Sequence, residues 1–130
     1  MNQFPIIVNL PDPGADNKQM IVFTAPTDSL GGGVRILSGQ ASTMTTLAGE
    51  GTTFTLALHK YSNAGTPAVN GTLAAAIGAS GWAAGVPLAF TVDSDYSFLD
   101  AGESLVIDYQ ELAAVAPGLT NITVWAQSGK

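Results

Sequence analysis

The chain has no cysteine and a single histidine, His59. Without thiols there is neither a disulfide framework nor a thiolate metal site, and one imidazole excludes the two-His and three-His catalytic zinc centres. Basic residues are scarce: four Lys or Arg stand against ten Asp or Glu, a net charge of −6 at pH 7. Nucleic-acid binding by phosphate neutralisation needs a basic surface, so that class is excluded. Charged residues of both signs make up only 11% of the chain, against about 25% in an average soluble domain. No apolar run approaches the roughly 18 residues that a membrane-spanning helix needs. The start, Met1-Asn2-Gln3-Phe4-Pro5, lacks the basic residues and apolar stretch of a signal peptide, so the chain reads as one made in a cytosol.

What is present points to strands. The 130 residues are 46% apolar, which excludes intrinsic disorder, and the length fits one domain. Lys, Glu and Arg normally cover exposed helices, and their scarcity leaves little material for them. Short β-branched and aromatic runs are broken by Pro11-Asp12-Pro13-Gly14, Gly31-Gly32-Gly33, Gly49-Glu50-Gly51, Asn70-Gly71, Asp93-Ser94-Asp95 and Asp100-Ala101-Gly102. This spacing suggests a sandwich or a barrel; the expectation taken forward is an all-β, antiparallel sandwich of about eight strands, jelly-roll-like. The strands fall near 4–9, 19–25, 33–44, 52–60, 68–78, 86–92, 103–110 and 118–127. Residues 1–18 read as an N-terminal arm or edge segment, and 19–130 as a single β-sandwich domain.

Period-two alternation assigns faces. Phe54, Leu56 and Leu58 share one side of the fourth strand, and Leu105, Ile107 and Tyr109 one side of the seventh. Val86, Leu88, Phe90 and Val92 line one side of the sixth. In the eighth, Ile122, Val124 and Ala126 oppose Asn121, Thr123 and Trp125, which leaves Trp125 either as core under a second layer or as interface. Leu73-Ala74-Ala75-Ala76-Ile77 is ambiguous in propensity but too short for an independent helix, and reads as a strand of small side chains.

No set of residues converges on chemistry. Asp93, Asp95, Ser97, Asp100 and Glu103 faintly resemble a calcium loop, but Phe98 and Ser104 occupy the positions where an EF-hand needs Gly and Glu. These residues read as turn formers, with Asp100-Ala101-Gly102 closing a hairpin. Asp108 and Glu111 are a conceivable carboxylate pair of the kind that any ten acids supply. His59 lacks a nucleophile elbow to serve. Gly31-Gly32-Gly33 precedes a strand, not a helix, and reads as a hairpin connection rather than a phosphate loop. The sequons Asn70-Gly71-Thr72 and Asn121-Ile122-Thr123 mean nothing without a secretory signal. The expectation is therefore no catalytic residue, no metal and no cofactor.

The C-terminal half carries a resemblance. Ala76-Ile77-Gly78, then Trp82-Ala83-Ala84-Gly85-Val86-Pro87-Leu88-Ala89-Phe90-Thr91, lead into Leu99-Asp100-Ala101-Gly102-Glu103-Ser104-Leu105 and the closing Leu119-Thr120-Asn121-Ile122-Thr123-Val124. This pattern resembles the small β-sandwich capsid decoration (cement) proteins of tailed bacteriophages, most clearly over 70–127. Phe4-Pro5 and Val22-Phe23-Thr24-Ala25-Pro26 are compatible with the same type. The resemblance implies a virion protein on the capsid surface, often a homotrimer, that clamps neighbouring major capsid subunits and transfers no catalytic residue. Phe4, Trp82 and Trp125 are the interface candidates. The alternative is a carbohydrate-binding or receptor-binding module of a phage fibre or tail, with Trp82, Trp125, Tyr61 and Tyr96 as stacking platforms and Asp93 and Asp95 bonding hydroxyls or calcium.

Overall fold

The structure, a computed structural model, describes residues 2–10, 18–26, 33–44, 54–62, 69–77, 82–111 and 120–129. These form β1 (Gln3–Leu10), β2 (Lys18–Thr24), β3 (Gly33–Thr43), β4 (Phe54–Tyr61), β5 (Val69–Ile77), β6 (Leu88–Ala89), β7 (Thr91–Val92), β8 (Phe98–Asp100), β9 (Ser104–Glu111) and β10 (Thr120–Ser128). No helix occurs among the described residues, so none is long and apolar enough to cross a membrane.

The strands divide into two sheets. The first runs β1-β10-β3-β6, with β8 also on β3; the second runs β2-β9-β4-β5-β7. The antiparallel pairs are nested: β1 with β10, β2 with β9, β3 with β6 and β8, β4 with β5. The chain is thus one long hairpin rolled so that successive pairs fall in opposite sheets. Contacts of β3 with β10 and of β4 with β9 close the roll. That strand order is a jelly roll, a sandwich and not a barrel, in line with the expected fold class.

The core lies between the sheets, where each strand contributes alternate side chains. Val34, Ile36, Leu56, Leu58, Leu99, Leu105, Ile107, Ile122, Val124 and Ala126 are each at most 2% exposed. Phe4 and Phe23 meet at the side where β1 and β2 form the edges, with ring centroids 5.9 Å apart. β1 pairs with β10 along its whole length. Pro5 therefore sits on an outer strand, where a missing amide donor is tolerated.

Three local readings are corrected. The sixth strand is two short ones: β6 pairs with β3 in the first sheet and β7 with β5 in the second. The crossing occurs at Phe90, whose N–H donates to the Gly39 carbonyl at 2.9 Å. A Cβ at Gly39 would stand 3.2 Å from the Phe90 ring, so the small residue lets the ring lie close against the sheet. Asp100-Ala101-Gly102 is a turn, with the Glu103 N–H donating to the Asp100 carbonyl. It closes no hairpin, because β8 and β9 belong to different sheets. The link between β2 and β3 likewise joins opposite sheets, so Gly33, the first residue of β3, follows a crossing and not a hairpin turn; Gly31 and Gly32 lie outside the described residues.

The alanine run settles as β5. Ala74, Ala75 and Ala76 pair with Leu58, Ala57 and Leu56, and this ladder overrides alanine's helical preference.

Candidate functional site

The outer face of the first sheet is built by alternation. On β1, Gln3, Pro5, Ile7 and Asn9 point outward, while Phe4, Ile6, Val8 and Leu10 point to the core. On β10, Asn121, Thr123, Trp125 and Gln127 point outward. β3 adds Arg35, Leu37, Ser38 and Gln40. Its register against β10 shifts where Trp125 pairs with Ser38 and Ala126 with Ile36. That bulge turns Leu37 and Ser38 outward together.

Trp125 lies in the middle of this face, with Pro5 across from it on one side and Ser38 on the other. It is 47% exposed, Ile7 62% and Leu37 37%. Of its two sequence readings, core and interface, the core reading fails. The inward positions of β10 belong to Ile122, Val124 and Ala126, which leaves the indole on the opposite side.

Around this apolar centre the side chains are polar and mostly uncharged. Asn121 Nδ2 donates to Asn9 Oδ1 at 3.0 Å, and Thr123 Oγ1 donates to Asn121 Oδ1 at 3.3 Å. Arg35 is the one charged residue that β1, β3 and β10 place on this face, and its guanidinium lies 5.5 Å from the Phe98 ring centroid.

The other two interface candidates sit elsewhere. Phe4 occupies an inward position of β1, half-buried against Phe23. Trp82 is 4% exposed, and its Nε1–H donates to the Val86 carbonyl at 2.7 Å. Both are packing residues within this chain. The glycine and alanine around Trp82 suggest a loop tip, but the turn after it is tied down by the Gly85 N–H donating to the Thr43 carbonyl at 2.9 Å.

The outer face of the second sheet has a different character. Asp108 Oδ2 stands 3.3 Å from His59 Nε2 and accepts a longer hydrogen bond, 3.4 Å, from Gln19 Nε2. The Tyr61 hydroxyl donates to Gln19 Oε1 at 2.6 Å. Gln19 is opposite Asp108 and Tyr61 opposite Ser104, so this last bond spans the position of Val106. Val106 points away from the core yet is only 1% exposed. The polar network thus acts as a roof over an apolar side chain, a role that alternation alone does not reveal.

The acidic segment is used up in turns. Asp93 Oδ1 accepts the Asp95 N–H at 2.9 Å, and Ser97 Oγ donates to the Ser94 carbonyl at 3.2 Å. Glu103 Oε1 accepts the Asp100 N–H at 2.7 Å and pairs with Lys60 Nζ at 3.1 Å, both side chains being largely buried. Among the described residues no group of three or more His, Asp or Glu is placed to hold a metal ion. The side chain of Glu111 lies outside the described residues.

The stacking platforms of the carbohydrate alternative do not converge. Trp82 is interior, Trp125 and Tyr61 stand on opposite outer faces, and Tyr96 lies in the turn after β7. The surface that stands out is the apolar, nearly uncharged face around Trp125.

No family model and no curated protein matches the sequence. Among solved structures, a chain from the structure of the infectious bursal disease virus Gx strain is similar over 97% of this chain and 32% of its own length, at 11% identity and a TM-score of 0.37. This chain therefore spans about a third of that one, a distant likeness that assigns neither family nor role.

Proposed function

We propose that this chain is a structural protein of a virus particle, a capsid decoration protein that grips neighbouring major capsid subunits from outside. It works by surface contact and performs no reaction. The observation that carries this reading is the outer face of the first sheet, where Pro5, Ile7, Leu37 and Trp125 form an apolar centre inside a polar rim. Protein interfaces have this anatomy: a core depleted of charge and enriched in aromatics, ringed by polar side chains. The jelly roll is an architecture that viral capsid domains use, though also lectins, so fold alone does not choose between them.

Low charge suits the role. Ordering a Lys side chain costs up to about 2 kcal/mol of rotamer freedom, whereas Ala and Gly lose almost none. The centre of the face holds Pro5, Ile7 and Leu37, which lose less rotamer freedom on docking than Lys would, and many copies on one shell then act together through avidity. The reading places the protein on the capsid surface after synthesis in the host cytoplasm, with no nucleic acid, membrane or cofactor required.

Heat resistance of the particle tests it. Mature capsids incubated with the protein should release their DNA at a higher temperature than bare capsids. Equal release temperatures at saturating protein would overturn the reading.

A carbohydrate-binding module is the second reading, favoured by one observation: an exposed indole among amides and hydroxyls, the complement of a sugar ring. A glycan array separates the two. Binding of a glycan that Trp125→Ala abolishes would favour the sugar reading.

A further inference from the structure

We infer that Pro5 guards the open edge of the first sheet, keeping β1 from accepting a further strand, above all the β1 strand of a second copy. The inference stands apart from the role given to the outer face, because it concerns backbone groups at the side of the sheet. Two hydrogen bonds past the ends of β1 and β10 fix which way those groups point. The Ser128 N–H donates to the Asn2 carbonyl on the β1 side, and the Gly129 N–H donates to the Gly33 carbonyl on the β3 side. Along an antiparallel ladder these directions alternate residue by residue. β1 keeps one unbroken register with β10 from Gln3 to Leu10. Phe4, Ile6, Val8 and Leu10 therefore turn their backbone groups to β10, and Gln3, Pro5, Ile7 and Asn9 turn theirs away. Among the described residues no strand pairs with β1 on that open side, and these four residues are all exposed.

An edge of this kind is a template for another strand, and the usual safeguards are missing from β1. It holds no charged residue and no bulge, and Ile6-Ile7-Val8 at its middle is strongly β-forming. The outer strand of the second sheet is protected differently. β2 begins at Lys18, and its register against β9 shifts between Ile21 and Phe23, a bulge that twists the edge. What β1 has is Pro5. At a position that faces the open side, proline removes a donor without breaking the ladder to β10. One residue earlier or later it would cost a bond to β10. Where it stands, it deletes the N–H that an incoming strand would use, two residues before the exposed Ile7.

Amide hydrogen exchange, followed by NMR, reads the edge directly. In the wild type the Ile7 and Asn9 amides should exchange freely, while those of Ile6 and Val8 are held by β10 and exchange far more slowly. Pro5→Thr restores the donor in a strand-forming residue. By sedimentation equilibrium its association constant should be at least about tenfold above any the wild type shows, the worth of one or two hydrogen bonds. The Ile7 and Asn9 amides of the variant should slow as the protein is concentrated. Pro5→Ala serves the same test should the threonine variant fail to fold, and far-UV circular dichroism checks both. Wild-type Ile7 and Asn9 amides as slow as those of Ile6 and Val8 would mean that the edge is already covered, and would overturn the inference. So would variants that associate no more than the wild type, or that associate while their Ile7 and Asn9 amides still exchange freely.

Discussion

The two tryptophans have opposite fates because of what their neighbours in the sheets require. Trp125 occupies an outward position of β10, while Trp82 is enclosed and satisfies its indole N–H on the Val86 carbonyl. Trp82→Ala should cost about 3–5 kcal/mol, the usual range for truncating a buried aromatic ring. Trp125→Ala should change the stability of the monomer by about 0.5 kcal/mol or less, as surface substitutions do. Urea unfolding at low protein concentration measures both. Acrylamide should quench the fluorescence of a Trp82→Phe variant, which reports Trp125, far more than that of a Trp125→Phe variant. The reverse order would place the rings wrongly. In the core, Leu56→Ala and Ile107→Ala should each cost about 2–5 kcal/mol, both side chains being buried to within 1%. A loss below about 1 kcal/mol at both would mean the strands face the other way.

At the scale of elements, the most informative join is the Lys60–Glu103 pair, which ties the turn before β9 to the end of β4. Glu103 also holds the Asp100 N–H, so one carboxylate fixes both the turn and the lysine. Removing either partner leaves the other charge largely buried without this opposite charge beside it. Glu103→Gln or Lys60→Met should each destabilise by about 3 kcal/mol, and the double variant Lys60→Met with Glu103→Leu should recover much of that loss. Losses that simply add in the double variant would contradict a coupled pair.

Elements of clear period were legible from residues alone. The alternation of Leu56 with Ala57 and Leu58, and of Ile122 with Thr123 and Val124, marks both strand and face. The splitting of 86–92 was not legible, because Leu88, Phe90 and Val92 keep one period straight through the change of sheet. Only the fit of Phe90 against Gly39 reveals the crossing. β8 escaped notice because three residues, Phe98-Leu99-Asp100, are too few to show a period. Trp125 was legible as a candidate but not as exposed, since whether a second layer covers a sheet is a tertiary fact. The roof over Val106 depends on Gln19, Tyr61 and Asp108, which are brought together from three strands.

For the whole molecule, nesting decides the behaviour. β1 pairs with β10, so the first and last described strands must meet before the first sheet is complete. The Ser128 N–H donates to the Asn2 carbonyl at 3.0 Å, which closes the ends upon each other. Such non-local pairing is slow, and refolding should take from about milliseconds to seconds. Stopped-flow refolding of the monomer checks this; completion within about 10 μs, the time of a single hairpin, would not fit a jelly roll. The finished roll buries aliphatic residues between two sheets, and the outward positions of β1, β3 and β10, which hold no acid, are the basis of the functional reading.

Cosedimentation with mature capsids tests that reading most directly. The protein should pellet with the particles and saturate at a fixed number of copies per major capsid subunit. Protein that stays in the supernatant at every concentration, with particles whose surface is otherwise bare, would contradict it.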